Sequence, residues 1–289
     1  MQLEISAKTR LLLLIGDPVE HSLSPVLQNA AIRKEGIDAV YLAARVKPEN
    51  LGPAVRGLSC IGCAGFNVTM PHKVKILEHV DELDESARVA GAVNTVKNLE
   101  GRLVGYNTDC KGISEALERS GFGQRNFKAA VLGAGGAARA ACIGLSSFGR
   151  GPRIVLVNRT YETAAELAAA LSKRGLRVEA ARWEEMPSAL KESDLLVNTT
   201  SRGMYPGLDD SPVPREFLRA GMAVLDLIYY PWRTKLLREA ESVGSKVITG
   251  LEVLVYQGAE SFRIWFGKEP DVGLMMSAAK EAARAREPA

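Results

Sequence analysis

The chain has 289 residues, 46% of them hydrophobic and 25% charged, an ordinary balance for a globular protein and length enough for two separate cores. Thirty-seven basic residues against 34 acidic ones leave a formal net charge of +3, too small and too evenly spread to argue for nucleic acid or a membrane surface as partner. The longest purely aliphatic run, Leu11–Ile15, is far below the roughly 20 residues of a membrane-spanning helix, and no basic-then-apolar leader precedes it, so a cytoplasmic protein without a secretory signal is expected.

Four cysteines (Cys60, Cys63, Cys110, Cys142) in a chain this long do not make a disulfide framework. Cys60-x-x-Cys63 reads either as half of a metal or redox site or as two small residues packed ahead of a strand. His21, His72 and His79 lack metal-ligand spacing, which favours packing and no metal.

Short apolar runs alternate with amphipathic segments, the pattern of β-α units around a mainly parallel sheet. Arg10–Ile15 reads as a buried strand that Gly16-Asp17-Pro18 ends. Ser24-Pro25 offers an N-cap with proline at the first helical position, and Gly36 offers a stop. Ala39–Val46 and Gly65–Val68 are further strands, and Pro71 is expected to open a helix running to about Val80. Ala92–Lys97 and Arg102–Asn107 flank Asn98-Leu99-Glu100-Gly101 as arms of a β-hairpin, and a helical pattern follows from Cys110 to Ser120. A second series of β-α units begins at Phe127. Its strands are expected near Ala129–Leu132, Arg153–Val157, Leu195–Asn198, Val224–Leu227 and Lys246–Ile248. After Gly250, the residues Leu251, Leu254, Val255, Gly258, Phe262 and Trp265 share one helical face. The domain boundary falls near residue 110.

The strand candidate Lys128–Leu132 runs directly into Gly133-Ala134-Gly135-Gly136-Ala137-Ala138-Arg139, a G-x-G-x-x-A match that opens an alanine-rich helix. The first glycine permits the tight turn and the second lets the backbone approach a pyrophosphate. The small third residue keeps helix and strand close. Free N–H groups at the helix start would hold that pyrophosphate; a plain glycine-rich connection is the alternative. The next strand ends in Asn158-Arg159-Thr160, with no carboxylate for a ribose 2′-OH. Arg159 is either an exposed surface arginine or a partner for a 2′-phosphate, and the second reading favours NADP over NAD.

Three segments concentrate polar chemistry at strand ends. In His21-Ser22-Leu23-Ser24-Pro25, Ser24 serves equally as a helix cap, whereas Ser22 has no such structural reason; two hydroxyls beside a helix start would suit a carboxylate. In Asn67-Val68-Thr69-Met70-Pro71-His72-Lys73, Lys73 would lie in a first helical turn, where the dipole disfavours its charge and eases loss of a proton; a solvated lysine is the alternative. Asn94-Thr95 and Tyr106-Asn107-Thr108-Asp109 flank the hairpin, and Asp109 reads as a functional acid or as the cap of the next helix.

Taken in order, H-S-L-S-P, N-V-T-M-P-H-K, A-V-N-T, Y-N-T-D, G-A-G-G-A-A-R, N-R-T and G-L-E-V-L-V-Y-Q-G-A resemble the shikimate dehydrogenase family, from about residue 10 to 270. That resemblance implies an α/β class fold. An N-terminal substrate domain (1–109, completed by helices in 251–289) would stand beside a C-terminal Rossmann-type NADP domain (110–250), with a cleft between them. It implies NADPH-dependent reduction of 3-dehydroshikimate to shikimate, a small-molecule substrate, and neither nucleic acid nor membrane as partner; a homodimer is compatible with it.

Carried onto matching positions, Ser22 and Ser24 would hold the substrate carboxylate. Thr69, Asn94 and Gln257 would meet ring hydroxyls, with Asn67 and Tyr229 nearby. Lys73 and Asp109 would form the catalytic pair, with Lys73 favoured as proton donor. Gly133, Ala134, Gly135, Gly136 and Ala137 would take the pyrophosphate, Asn158, Arg159 and Thr160 the 2′-phosphate, and Thr199 and Gly250 would line the nicotinamide and ribose. Two positions depart from the family pattern. Thr163 stands where many members carry a second arginine, which predicts weaker NADP selectivity, and Val253 stands where methionine is frequent. The rival readings are a quinate/shikimate dehydrogenase using NAD or both cofactors, and a catalytically silent ligand sensor that kept the fold.

Overall fold

The computed structural model describes residues 5–122, 126–147 and 151–286. They form two compact units, one from residues 5–111 and 255–285, the other from 112–254 and 286.

The first unit opens with strand β1 (Arg10–Gly16), helix α1 (Ser24–Lys34) and strand β2 (Ala39–Arg45). Helix α2 (Leu51–Cys60), strands β3 (Gly65–Val68) and β4 (Glu82–Leu83), and helix α3 (Glu85–Ala90) follow. The hairpin is β5 (Thr95–Leu99) with β6 (Arg102–Tyr106). Sheet order is β2-β1-β3-β5-β6-β4, parallel across β2-β1-β3 and antiparallel across β3-β5-β6. Leu12 to Ile15 are all buried, so β1 is covered on both faces and reads as a continuous apolar run. Leu13 and Ile15 join Val55, Phe66, Val68, Ile76 and Val96 in one core. The hairpin turns at Glu100-Gly101, both in the left-handed region, as a two-residue loop between twisted strands requires.

Helix α4 (Asp109–Arg119) leads into six strands. These are β7 (Lys128–Leu132), β8 (Arg153–Asn158), β9 (Arg177–Arg182), β10 (Leu195–Asn198), β11 (Ala223–Asp226) and β12 (Lys246–Thr249). Helices α5 (Gly136–Ser146), α6 (Tyr161–Ser172), α7 (Met186–Lys191) and α8 (Lys235–Ser242) separate most of them. All pairings are parallel and the order is β12-β11-β10-β7-β8-β9. Counted from β7, that is the 3-2-1-4-5-6 arrangement of a Rossmann sheet, whose order reverses between β7 and β10. Strand β9 was not expected from sequence. It is a sheet edge with Arg177, Glu179 and Arg182 exposed, so it carries no apolar run to announce it.

Helices α9 (Gly250–Phe266) and α10 (Val272–Arg284) close the chain. From Val255 onward they belong to the first unit, where α10 packs on α1 and the Trp265 indole donates to Val96 O at 2.9 Å. A Cβ on Gly65 would overlap that indole. Gly65→Ala is therefore expected to overpack this contact and lower stability by about 1–3 kcal/mol, read as a shift of the urea midpoint at unchanged slope.

Candidate active site

The expected helix from Pro71 does not form. Residues 70–74 make a turn and a 3₁₀ segment spans Lys75–Glu78. The physical reason is competition for one carbonyl. Lys73 O, which an α-helix would give to residue 77, accepts from Val93 N at 2.8 Å, while Leu77 N turns to Val74 O. Buried His72 anchors the turn through Nε2, 2.6 Å from Val46 O. No helix dipole therefore acts on Lys73; its partner is a carboxylate.

Lys73 Nζ lies 2.6 Å from Asp109 Oδ2, with the two side chains 33% and 21% exposed, a charge-assisted bond at the solvent margin. The other oxygen, Asp109 Oδ1, accepts from Asn94 Nδ2 at 2.9 Å. The Asn94 amide is oriented from behind, because its Oδ1 accepts from Thr108 N at 2.7 Å. Gln257 Oε1, on α9, stands 3.3 Å from both Asn94 Nδ2 and Thr108 Oγ1. Asp109 is the first residue of α4, but its two carboxylate oxygens go to Lys73 and Asn94, so the capping alternative does not describe it. Burial, with the Asp109 charge beside it, pushes the neighbouring Cys110 thiol up to about 12, which keeps a thiolate out of this site.

Beneath this pair runs a buried polar layer in which Asn67 and Asn94 are joined by Tyr41 and Ser261, two residues that the sequence did not single out. Tyr41 OH donates to Asn67 Oδ1 at 2.7 Å, and Asn67 Nδ2 donates to Asn94 O and Thr95 Oγ1, both at 2.9 Å. Ser261 Oγ, one turn beyond Gln257 on α9, accepts from Asn67 Nδ2 at 3.1 Å and meets the Thr95 and Thr108 hydroxyls at 2.8 and 3.2 Å. Asn67 is thus spent on holding its neighbours. Tyr41 is fully buried, and desolvation pushes its phenol well above the ordinary value, so it remains a neutral donor.

The serine pair is arranged differently from expectation. Leu23, not Ser24, is the N-cap of α1, since Leu23 O accepts from Val26 N and Leu27 N. Ser22 Oγ accepts from Ser24 N at 3.2 Å, and α1 has no side-chain cap. Buried Ser24 approaches the Tyr41 hydroxyl. Thr69 follows β3, with its N–H on Ile15 O and its methyl against Gly16.

In the second unit, Gly133 has φ +107°, and a Cβ there would meet Thr199 Oγ1 at 2.6 Å. Thr199 N and Oγ1 both bond Leu132 O, at 3.1 and 2.5 Å, so the ends of β7 and β10 are tied together where the strand order reverses. Gly135 is the N-cap of α5 without a side-chain cap, and the Cβ positions of Gly135 and Gly136 face open space. With Ala134 and Ala137, these uncapped N–H groups fit a pyrophosphate. Asn158 Nδ2 donates to Thr160 O at 2.9 Å, which shapes the turn presenting exposed Arg159. Gly250 is a packing necessity as well as a candidate contact: a Cβ would come within 2.5 Å of Ile228 O and Leu227 O. Tyr229 follows the buried Asp226, whose carboxylate accepts from Asn198 Nδ2, Ile228 N and Thr234 Oγ1 at 3.0, 3.1 and 2.7 Å.

Comparison with known proteins identifies the frame. Residues 14–96 match the shikimate dehydrogenase substrate binding domain, 116–205 the shikimate/quinate 5-dehydrogenase model, and 250–280 the shikimate 5′-dehydrogenase C-terminal domain. A shikimate dehydrogenase (NADP(+)) of Moorella thermoacetica is 44% identical over 97% of this chain and 96% of its own. The chain belongs to the shikimate dehydrogenase family. Another relative, the shikimate dehydrogenase (NADP(+)) of Pyrococcus abyssi, is 48% identical over 91% of this chain and 94% of its own. A solved shikimate dehydrogenase in complex with NADP+ superposes with TM-score 0.91 at 42% identity, covering 96% of this chain and 97% of that one. The Thermus thermophilus enzyme with NADP(H) and shikimate gives TM-score 0.85 at 39% identity, covering 94% and 99%.

Two stability outcomes follow from these buried polar groups. Tyr41→Phe leaves Asn67 Oδ1 without its donor and should cost about 1–3 kcal/mol in denaturant unfolding. Burial raises Asp226 from its ordinary 3.8 to about 6, so between these values the folded protein holds a proton that the unfolded chain has released. That contribution to stability is complete below about pH 4 and is lost as pH rises through about 6, on the order of 3 kcal/mol in all. Asp226→Asn should flatten this part of the stability–pH curve.

Proposed function

We propose that this chain is an NADP-dependent shikimate dehydrogenase, catalysing the reversible reduction of 3-dehydroshikimate to shikimate on the route to aromatic amino acids. The observation that carries the reading is the Lys73–Asp109 contact at 2.6 Å with Asn94 on the free carboxylate oxygen, set in the family's substrate domain.

The reacting centre is a ring ketone, whose reduction needs a hydride on carbon and a proton on oxygen. Bound NADPH supplies the hydride. Lys73 donates the proton to the oxygen that becomes the alcohol, and Asp109 holds the ammonium in place and orients the adjacent ring hydroxyl. Thr69, Asn94 and Gln257 position the ring. Ser22 retains its own O–H for the substrate carboxylate while accepting from Ser24 N, and Ser24 is the second hydroxyl. Asn67 supports this shelf from within. For the cofactor, Gly133 to Ala137 take the pyrophosphate at α5, Arg159 pairs with the 2′-phosphate between Asn158 and Thr160, and Thr199 and Gly250 line the remainder. All four cysteines are free thiols, which fits a cytoplasmic enzyme.

Purified protein at alkaline pH, followed by absorbance of the reduced nicotinamide, tests the reading. Shikimate with NADP+ is expected to surpass shikimate with NAD+, and quinate with either, by at least about tenfold in kcat/KM, equivalent to about 1.4 kcal/mol. Lys73→Ala should lose about 10²–10⁴ of that rate. Comparable turnover of quinate or NAD+ would move the chain to the dual-specificity group, and no turnover with any pair would leave a binding protein.

A further inference from the structure

The second arginine that many NADP-using members of the family carry is absent, because Thr163 lies there, in the first turn of α6. The fold brings another guanidinium to the neighbouring strand end, against Tyr161 at the start of α6. We propose that Arg182, from the neighbouring strand, is the second residue of this chain that grips the 2′-phosphate of NADP; the assignment rests on the NADP reading above.

Three observations carry it. Arg182 is the last residue of β9 and stands in parallel register with Asn158, the last residue of β8, whose following residue is Arg159. Paired positions on adjacent strands lie about 4.8 Å apart, so Arg182 sits beside the Asn158-Arg159-Thr160 turn although 23 residues separate it from Arg159 in the chain. Its guanidinium carbon is 4.6 Å from the ring centroid of Tyr161, the first residue of α6. That cation–π contact holds the planar fork against the first residue of a 12-residue helix, whose Thr160 cap makes no side-chain bond to the first N–H groups. Neither Arg159 nor Arg182 has a carboxylate partner among the described residues, and both are exposed. Glu185, three residues on, gives Oε2 to the Arg182 backbone N–H at 2.6 Å.

Chemically, a phosphate dianion presents three oxygens. Arg159 can bind two in a bidentate fork and a second guanidinium can take the third edge, whereas a ribose 2′-OH offers neither charge nor geometry for two forks. Arg182 therefore acts on the NADP/NAD ratio and leaves the adenosine common to both largely untouched. The stack on Tyr161 limits the rotamer freedom lost when the phosphate arrives.

Calorimetric binding of adenosine 2′,5′-bisphosphate and of 5′-AMP, which differ only in the 2′-phosphate, reads this directly. Wild type, Arg182→Ala and Arg159→Ala are compared, with circular dichroism melts as folding controls and kcat/KM for NADP+ and NAD+ alongside. Arg182→Ala is expected to weaken the bisphosphate about tenfold, leave AMP within about twofold, and reduce the salt dependence of bisphosphate binding. Tyr161→Leu, which frees the guanidinium, should give a smaller loss in the same direction. Unchanged bisphosphate affinity in Arg182→Ala, with loss in Arg159→Ala, overturns the proposal and leaves the NADP reading intact. Equal weakening of both ligands also overturns it, since Arg182 would then serve only to pack the adenine side. If wild type binds the two ligands equally, the NADP reading itself fails and the assignment falls with it.

Discussion

One backbone donor decides how the substrate unit is built. Thr108 N–H points at Asn94 Oδ1, and a carboxamide cannot present its oxygen there without turning its two donors the other way. Those donors then face Asp109, and the carboxylate bound by Asn94 on one oxygen has the other left for Lys73. A second amide is fixed in the same manner, with Tyr41 OH claiming Asn67 Oδ1 and the Asn67 N–H groups bracing Asn94 O and Thr95. Every orientation follows from matching donors to acceptors in a place where water is excluded and an unmatched group is expensive. The ion pair at the surface is held by this network, while its own exposure keeps the charges solvated.

The second unit reaches rigidity through contact distances. Gly133 against Thr199, and Gly250 against the Leu227–Ile228 backbone, leave no space for a β-carbon. Four strand ends are thereby tied in two pairs along the carboxyl edge of the sheet, β7 with β10 where the strand order reverses and β11 with β12 beside them. Asp226 adds a polar knot to the same edge, since its three donors come from β10, from the chain just past β11 and from Thr234 at the start of α8. Two loops that must stay open for a ligand are flanked by ends that cannot move much. Preorganisation of this kind lowers the entropy lost on binding.

Some of this was legible in the chain and some was not, for physical reasons. Gly133 to Arg139 was legible because strand, turn and helix are contiguous, with Gly133 required by its positive φ and by the closeness of Thr199. Lys73 and Asp109 stand 36 positions apart with no periodicity that joins them, and only the family resemblance paired them. The helix expected at Pro71 failed because a non-local donor, Val93 N, took the Lys73 carbonyl. Tyr41 read as an ordinary strand residue of Ala39–Val46, and Thr95 and Thr108 were visible only as neighbours of Asn94 and Asp109, since the polar layer that joins them is assembled by the fold. Ser261 had one available signal, its position four residues beyond Gln257 on the same helical face. Strand β9 was hard to see because its alternation, Arg177-Val178-Glu179-Ala180, is short and its apolar positions are only half-buried.

That edge strand has a consequence for how the protein keeps to itself. A terminal strand of a parallel sheet exposes a row of unpaired N–H and C=O groups, a ready template for another chain, and long charged side chains are a common guard against such pairing. Arg177, Glu179 and Arg182 supply the guard on β9. One of the three also sits beside the Asn158-Arg159-Thr160 turn, so the charge at position 182 guards the edge and adds to the positive charge beside that turn. Replacement by an apolar residue would touch both, and the sheet edge would become stickier even where the fold stayed intact. Lysine or glutamine keeps the edge guarded, which makes residue 182 a position where solubility narrows the range of side chains open to change.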